Sequence, residues 1–143
     1  MTLKPNTPPV STASLSGPDG AAAKGIHSAE AEHARILGLL EKVTQAFSSH
    51  ASASEVNAIL LELNGYTLNH FREEEKLMDA SAFPGREMHK REHEKLAAHV
   101  RGLLDVTSKL EALQCAVGVL ALWLDAHLRI TDKYFLEFLR SKA

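Results

Sequence analysis

From Ser28 to Phe138 the apolar residues recur every three or four positions, and no stretch alternates apolar with polar at the period of a strand. That periodicity restricts the chain to helices. It is interrupted near residue 50, at "SAFPG" (81–85) and near residue 108. Pro84 lacks an N–H and biases the residue before it away from helix. Four helices are therefore expected, at 28–49, 53–79, 86–107 and 110–140. Ser28 is a candidate N-cap for the first. "SASE" (52–55) and "SKLE" (108–111) read as capping boxes for the second and fourth. Long helices joined by short loops predict an all-α fold, an antiparallel up-down-up-down four-helix bundle. Residues 1–25 hold four of the five prolines and few large apolar side chains, so a disordered tail is expected there, with the bundle over 26–143.

The stripes that would form the core are His33, Ile36, Leu37, Leu40, Val43 and Phe47 on the first helix, and Val56 through Leu77 on the second. The third contributes His89, His93, Leu96, Val100, Leu103 and Leu104. On the fourth the stripe is Leu113, Val117, Leu120, Leu124, His127, Thr131, Tyr134 and Phe138. Five histidines, His33, His70, His89, His93 and His127, thus sit on faces that should be buried. An unsatisfied buried polar group costs roughly 1–3 kcal/mol, and a marginal fold has only roughly 5–15 kcal/mol in hand. A metal removes the difficulty by taking one nitrogen of each ring. His27, His50 and His99 fall off the stripes and read as surface or helix-end residues.

Spacing favours the same reading. His89 and His93 are four apart, as are His70 and Glu74, so each pair lies on one helical face. Glu73 and Glu75 point away and read as solvated. Asp132 stands five residues after His127, about 140° away on a regular helix, which works only if the helix is locally overwound or bulged. Imidazole with carboxylate and no thiolate suits iron, manganese, zinc or copper. Five imidazoles and two carboxylates exceed the roughly four ligands one zinc takes, whereas two carboxylate-bridged ions would use them all. The only Glu-x-x-His pair on this pattern, Glu30 with His33, does not supply a ferritin-like set.

Charge narrows the alternatives. Sixteen basic and eighteen acidic residues, for a formal net charge of −2, argue against a nucleic-acid or anionic-membrane surface. No signal-peptide layout and no apolar run that would span a bilayer is expected. Cys115 is the single cysteine, read as a small buried hydrophobe, and a cytoplasmic address follows from the lack of disulfides.

"GIHSAEAEH" (25–33), "YTLNHFREEEKLM" (66–78), "HKREH" (89–93) and "WLDAHLRITDKY" (123–134) resemble the bacterial hemerythrins, non-haem di-iron proteins that bind oxygen reversibly. The likeness spans about residues 25–140 and accounts for the five-residue step to Asp132. It implies two iron ions as cofactor. His89, His93 and His127 would hold one, and His33 and His70 the other, leaving it a vacant position for dioxygen. Glu74, Asp132 and a solvent-derived oxo or hydroxo group would bridge them. Trp123, Leu124 and Leu128 would wall the oxygen pocket, with Phe71 packed close by. Glu30, Ala29 and a polar N-terminal segment depart from the family's usual aspartate, larger apolar residue and tryptophan, which implies readier solvent access to the two-histidine iron. The resemblance implies a non-enzymatic oxygen carrier, store or delivery protein: a monomer whose ligand is dioxygen, with a protein acceptor as its possible partner. The alternative is a di-iron enzyme acting on peroxide or nitric oxide, or an iron-donating repair protein.

Overall fold

The computed structural model describes residues 20–105 and 109–142. Four helices form the bundle: α1 (Ala21–Ser48), α2 (Ala53–Ala80), α3 (Arg86–Leu104) and α4 (Leu110–Lys142). Among the described residues there is no strand. Helices adjacent in sequence are adjacent in space, and α4 closes the ring against α1.

The Ser52 cap is as expected, its hydroxyl accepting from the Glu55 N–H at 3.2 Å. Ser28 is not a cap. Helix α1 begins seven residues earlier, inside the stretch read as tail, with Gly20 as its N-cap. "AAAK" is good helix-forming sequence, and Ile26 and Ala29 anchor this extra length by packing with Met78 and Phe83. Gly25 faces the Leu77 side chain, whose Cδ2 a Cβ would meet at 2.4 Å and push aside. Residues 1–19 and Ser108 of the proposed second capping box lie outside the described residues, and α4 starts behind Lys109 without a side-chain cap.

Helices α1 and α2 both end on a left-handed residue that is not glycine, His50 (φ 56°) and Ala82 (φ 52°). In each case the next N–H reaches back five residues, Ala51 to the Ala46 carbonyl at 2.9 Å and Phe83 to the Met78 carbonyl at 3.0 Å. This is the Schellman arrangement, which satisfies carbonyls the helix end would otherwise leave unpaired. At the second of these ends it also drops Phe83 into the core, 6% exposed.

Helix α4 departs most from a regular period. Residues His127–Thr131 form a π turn, and the Asp132 N–H donates to the His127 carbonyl five residues back. The helix is therefore bulged there, not overwound. One extra residue in the turn moves the buried stripe on by one. Asp132, Phe135, Leu136 and Leu139 are buried, whereas Tyr134, expected in the core, is 73% exposed. Cys115 is also exposed, correcting its reading as a buried hydrophobe. By length and composition Leu110–Lys142 would suffice to cross a membrane, contrary to expectation, but here its apolar stripe and two buried polar residues face the other three helices.

The core has two apolar parts. Ile36, Leu40, Leu60, Leu63, Leu96, Val100 and Leu120 belong to the larger, and Met78, Phe83, Phe135, Leu136 and Leu139 to the smaller. His33 falls between Ala29 of the smaller part and Ile36 of the larger, and Asp132 between Leu128 of the larger and Phe135 of the smaller. A layer of histidines and carboxylates thus lies between two hydrocarbon regions.

Candidate metal centre

His33 comes from α1, His70 and Glu74 from α2, His89 and His93 from α3, and His127 and Asp132 from α4. The four-residue steps on α2 and α3 stack their side chains on the inner face. The π turn does the same for the five-residue step on α4. All but His33 are buried, and its side chain is only 13% exposed. Their donor atoms form two groups, His89, His93 and His127 in one and His33 and His70 in the other, with Glu74 and Asp132 common to both. Within each group all the atoms lie within 4.8 Å of one another.

The two carboxylates divide their oxygens between the groups. Glu74 Oε1 lies 2.6 Å from His89 Nε2 and 3.3 Å from His93 Nε2, while its Oε2 lies 3.3 Å from His70 Nε2. Asp132 Oδ1 lies 2.8 Å from His89 Nε2 and 2.9 Å from His127 Nε2, while its Oδ2 lies 2.9 Å from His33 Nε2. Every imidazole directs Nε2 inward. Both oxygens of Glu74 and of Asp132, with Nε2 of His33, His70 and His89, are buried without a hydrogen-bond partner. So many orphaned acceptors in one apolar enclosure would be costly, and cations at the two foci would satisfy them together. The donor set fits two metal ions of the kind that accept nitrogen and oxygen ligands.

The electrostatics agree. Burial alone would push His70 down, yet the adjoining Asp132 and Glu74 carboxylates raise it to about 10. His89 is raised to about 9 by the same two groups against the same burial. Burial would lift Glu74 and Asp132, but the surrounding imidazoles hold both well below the usual carboxylate range. His93, whose largest influence is burial, is lowered. Both carboxylates are therefore ionised, with the protons held on His70 and His89 balancing them where cations would otherwise do so.

Two further acids reach the outer side of these rings. His70 Nδ1 donates to Glu32 Oε2. His127 Nδ1 donates to Glu92 Oε1 at 2.7 Å, and the Thr131 hydroxyl donates to the same oxygen at 3.0 Å. Each acid directly precedes a site histidine, Glu32 before His33 and Glu92 before His93. Each reaches across to the other helix of its own group, fixing the ring so that Nε2 points inward. Sequence reasoning missed both; the repeated Glu-His dipeptide was the available signal. Glu75, read as solvated, stops 3.6 Å from His93 Nδ1, too far for a hydrogen bond.

Of the residues expected to wall a pocket, Leu124 and Leu128 are buried in the larger apolar core, and Phe71 stacks on the His93 ring with centroids 4.0 Å apart. Trp123 is placed elsewhere. It is 52% exposed on the outer side of α4, with its ring 5.5 Å from that of His99. His27 and His50 are exposed and belong to neither donor group, as expected. On the two-histidine side a cavity of about 400 Å³ opens between α1 and α2, with Gly25, Ala29, Leu77 and Phe135 on its walls and His70 and Glu74 reached from it.

Comparison with known proteins places the chain as a whole. The hemerythrin HHE cation binding domain matches residues 24–139. The chain belongs to the hemerythrin family. Bacteriohemerythrin of Stenotrophomonas maltophilia is 30% identical over 120 residues, covering 79% of this chain and 74% of that protein. Bacteriohemerythrin of Pseudomonas aeruginosa is 30% identical over 125 residues, covering 81% and 76%. No solved structure matches. The histidine, glutamate and aspartate cluster of this hemerythrin suits a metal centre of the type the family name denotes.

Proposed function

We propose that this hemerythrin binds dioxygen reversibly at a pair of iron ions and serves to store, carry or deliver it in the cytoplasm, not to turn it over as an enzyme. The observation that carries this reading is the division of oxygens in Glu74 and Asp132, one from each carboxylate to each histidine group. Carboxylates so placed would bridge two ions. His89, His93 and His127 would hold one and His33 and His70 the other. Iron, when bound, supplies the electrons that oxygen binding draws on.

The protein's own residues account for the rest. Two imidazoles against three leave the His33–His70 side with fewer donors, and the cavity beside His70 and Glu74 gives a small ligand its way in. Leu124, Leu128, Phe71 and Phe135 keep bulk water from the ligand histidines, and a water-poor site limits proton leakage to what is bound there. Glu32 and Glu92 hold the His70 and His127 rings in orientation. The lone cysteine suits a reducing compartment.

One observation favours a second reading. The cavity mouth is lined by Lys24, Lys76, Glu32 and Glu73 as well as apolar residues, so polar reactants such as peroxide, or nitric oxide, also have access. A di-iron redox enzyme, or a protein that gives up its iron to damaged centres, would use that opening. The deciding experiment is the visible spectrum of anaerobically iron-loaded, reduced protein before oxygen, after oxygen and after its removal. A band that appears with oxygen and vanishes on its removal supports the carrier. An immediate, irreversible change to the oxidised spectrum refutes it and makes peroxide and nitric oxide turnover the function to assay.

A further inference from the structure

The acids on the outer side of the site histidines each cross to the next helix of the bundle. Glu32 of α1 accepts from His70 of α2, and Glu92 of α3 accepts from His127 of α4 at 2.7 Å. The crossing between these two, from α2 to α3, is open. His93 Nδ1 is buried and has no hydrogen-bond partner. Glu75 Oε1, from α2, stands 3.6 Å away from it.

The gap has a chemical reason. His93 Nε2 lies 3.1 Å from His127 Nε2, a contact that requires a proton between the two nitrogens. A neutral His93 that supplies this proton has none for Nδ1, and a bare Nδ1 and a carboxylate are both acceptors. Metal held by both Nε2 atoms excludes the shared proton. His93 then carries its one proton on Nδ1, a buried donor that needs an acceptor.

We propose that Glu75 is a third positioning acid: with metal in the His89, His93 and His127 group, its carboxylate closes on His93 Nδ1–H and holds that ring as Glu32 and Glu92 hold theirs. The proposal rests on those three histidines sharing one ion, but not on iron or on oxygen. The seam between α2 and α3 sets up the contact. Lys90, three residues before His93, donates to Asp79, four residues after Glu75, at 2.8 Å. Such spacings share a helix face, so Glu75 and His93 lie along the same seam. Lys90 is thereby engaged with Asp79, and among the described residues no lysine or arginine pairs with Glu75. The Glu75 side chain is 29% exposed and has room to turn, whereas the His93 ring is already stacked on Phe71. Reaching the roughly 2.7–2.9 Å of a charge-assisted bond takes less than about 1 Å of movement. Adjacent residues of α2 then serve both ends of one ring, Glu74 beside its Nε2 at 3.3 Å and Glu75 at its Nδ1.

The test uses the full chain loaded with zinc, which is diamagnetic and does not react with oxygen. Proton–nitrogen NMR of the histidine rings should show His93 protonated at Nδ1, with that proton shifted downfield and slow to exchange. Glu75→Ala should abolish the shift and the protection at His93 alone. Competition with a chromophoric chelator should show one of the two zinc sites weakened by roughly 10–100-fold in this variant. Glu75→Gln keeps an acceptor and should retain the protected proton, with an affinity between the two. Glu73→Ala, at a neighbouring acid paired with Lys76, should change neither readout, which separates the contact from a general loss of negative charge. A His93 signal or a zinc affinity indifferent to Glu75→Ala would overturn the proposal, as would equal loss in Glu73→Ala. Two zinc ions bound with His93 unaffected would remove only Glu75. Failure of His89, His93 and His127 to take up zinc would overturn the metal assignment along with it.

Discussion

Removing the metal should reverse the direction in which pH affects stability. In the metal-free protein His70 and His89 keep their protons by pairing with Glu74 and Asp132, which moves His70 from 6.5 to about 10 and His89 to about 9. A group whose pKa is higher folded than unfolded stabilises the fold fully below the unfolded value, and that contribution disappears as pH climbs to the folded value. The window is therefore pH 6.5 to 10. At roughly 1.4 kcal/mol per pH unit, His70 holds about 5 kcal/mol, of which about 3 kcal/mol is gone by pH 9. His89 draws on the same two carboxylates, so its share is not added. With a urea slope of roughly 1–3 kcal/mol per molar, the midpoint of chelator-stripped protein should fall by at least about 1 M between pH 6.5 and pH 9. Loaded protein should behave oppositely: metal needs neutral imidazoles, so its stability holds at pH 9 and is lost on acidification. A metal-free midpoint that is flat or rising over this window would refute the idea that the buried carboxylates hold protonated histidines until cations replace the protons.

Three substitutions test the assignment of residues to the two groups. Glu32→Gln keeps an acceptor for His70 Nδ1 but removes the charge, so it should weaken metal at the His33–His70 side by roughly 10–100-fold, and Glu92→Gln should do so at the His127 side. Stepwise cobalt titration followed by metal analysis distinguishes them, and identical effects on both sites would contradict the pairing. His127→Ala should lower iron towards one per chain and abolish oxygen binding; two retained irons with normal oxygen binding would remove His127 from the centre.

The four helices were readable because their stripes are long and periodic, and α2 starts at the capping Ser52 as written. His70 with Glu74 and His89 with His93 share inner faces as their four-residue steps require, and His33 joins them from α1. What failed had local physical causes. The start of α1 was missed because "AAAKGI" follows a proline-rich stretch and gains its helix from packing on Met78 and Phe83 more than from a cap. The ends of α1 and α2 use His50 and Ala82 in the left-handed region, where a reader of sequence looks for glycine. Glu32 and Glu92 looked like ordinary surface acids, because a role that depends on reaching a neighbouring helix leaves no periodic trace on its own. Tyr134 was assigned to the core by continuing a regular period through a segment that is not regular.

That last error and the site itself have one origin. A regular helix through 127–132 would leave Asp132 about 140° away from His127, and the centre would lose the carboxylate that faces both histidine groups. Adding a residue to the turn brings Asp132 inward, where Thr131 and His127 are tied to Glu92. The same residue carries everything beyond it round by one position. Phe135 and Leu139 then take core places, and Ile130 and Tyr134 are turned outward to extend the exposed apolar face begun by Val119 and Leu122. The π turn therefore sets the chemistry inside the bundle and the shape outside it together. A change that regularised this turn would have to cost the protein both its second bridging carboxylate and the far half of its apolar outer face.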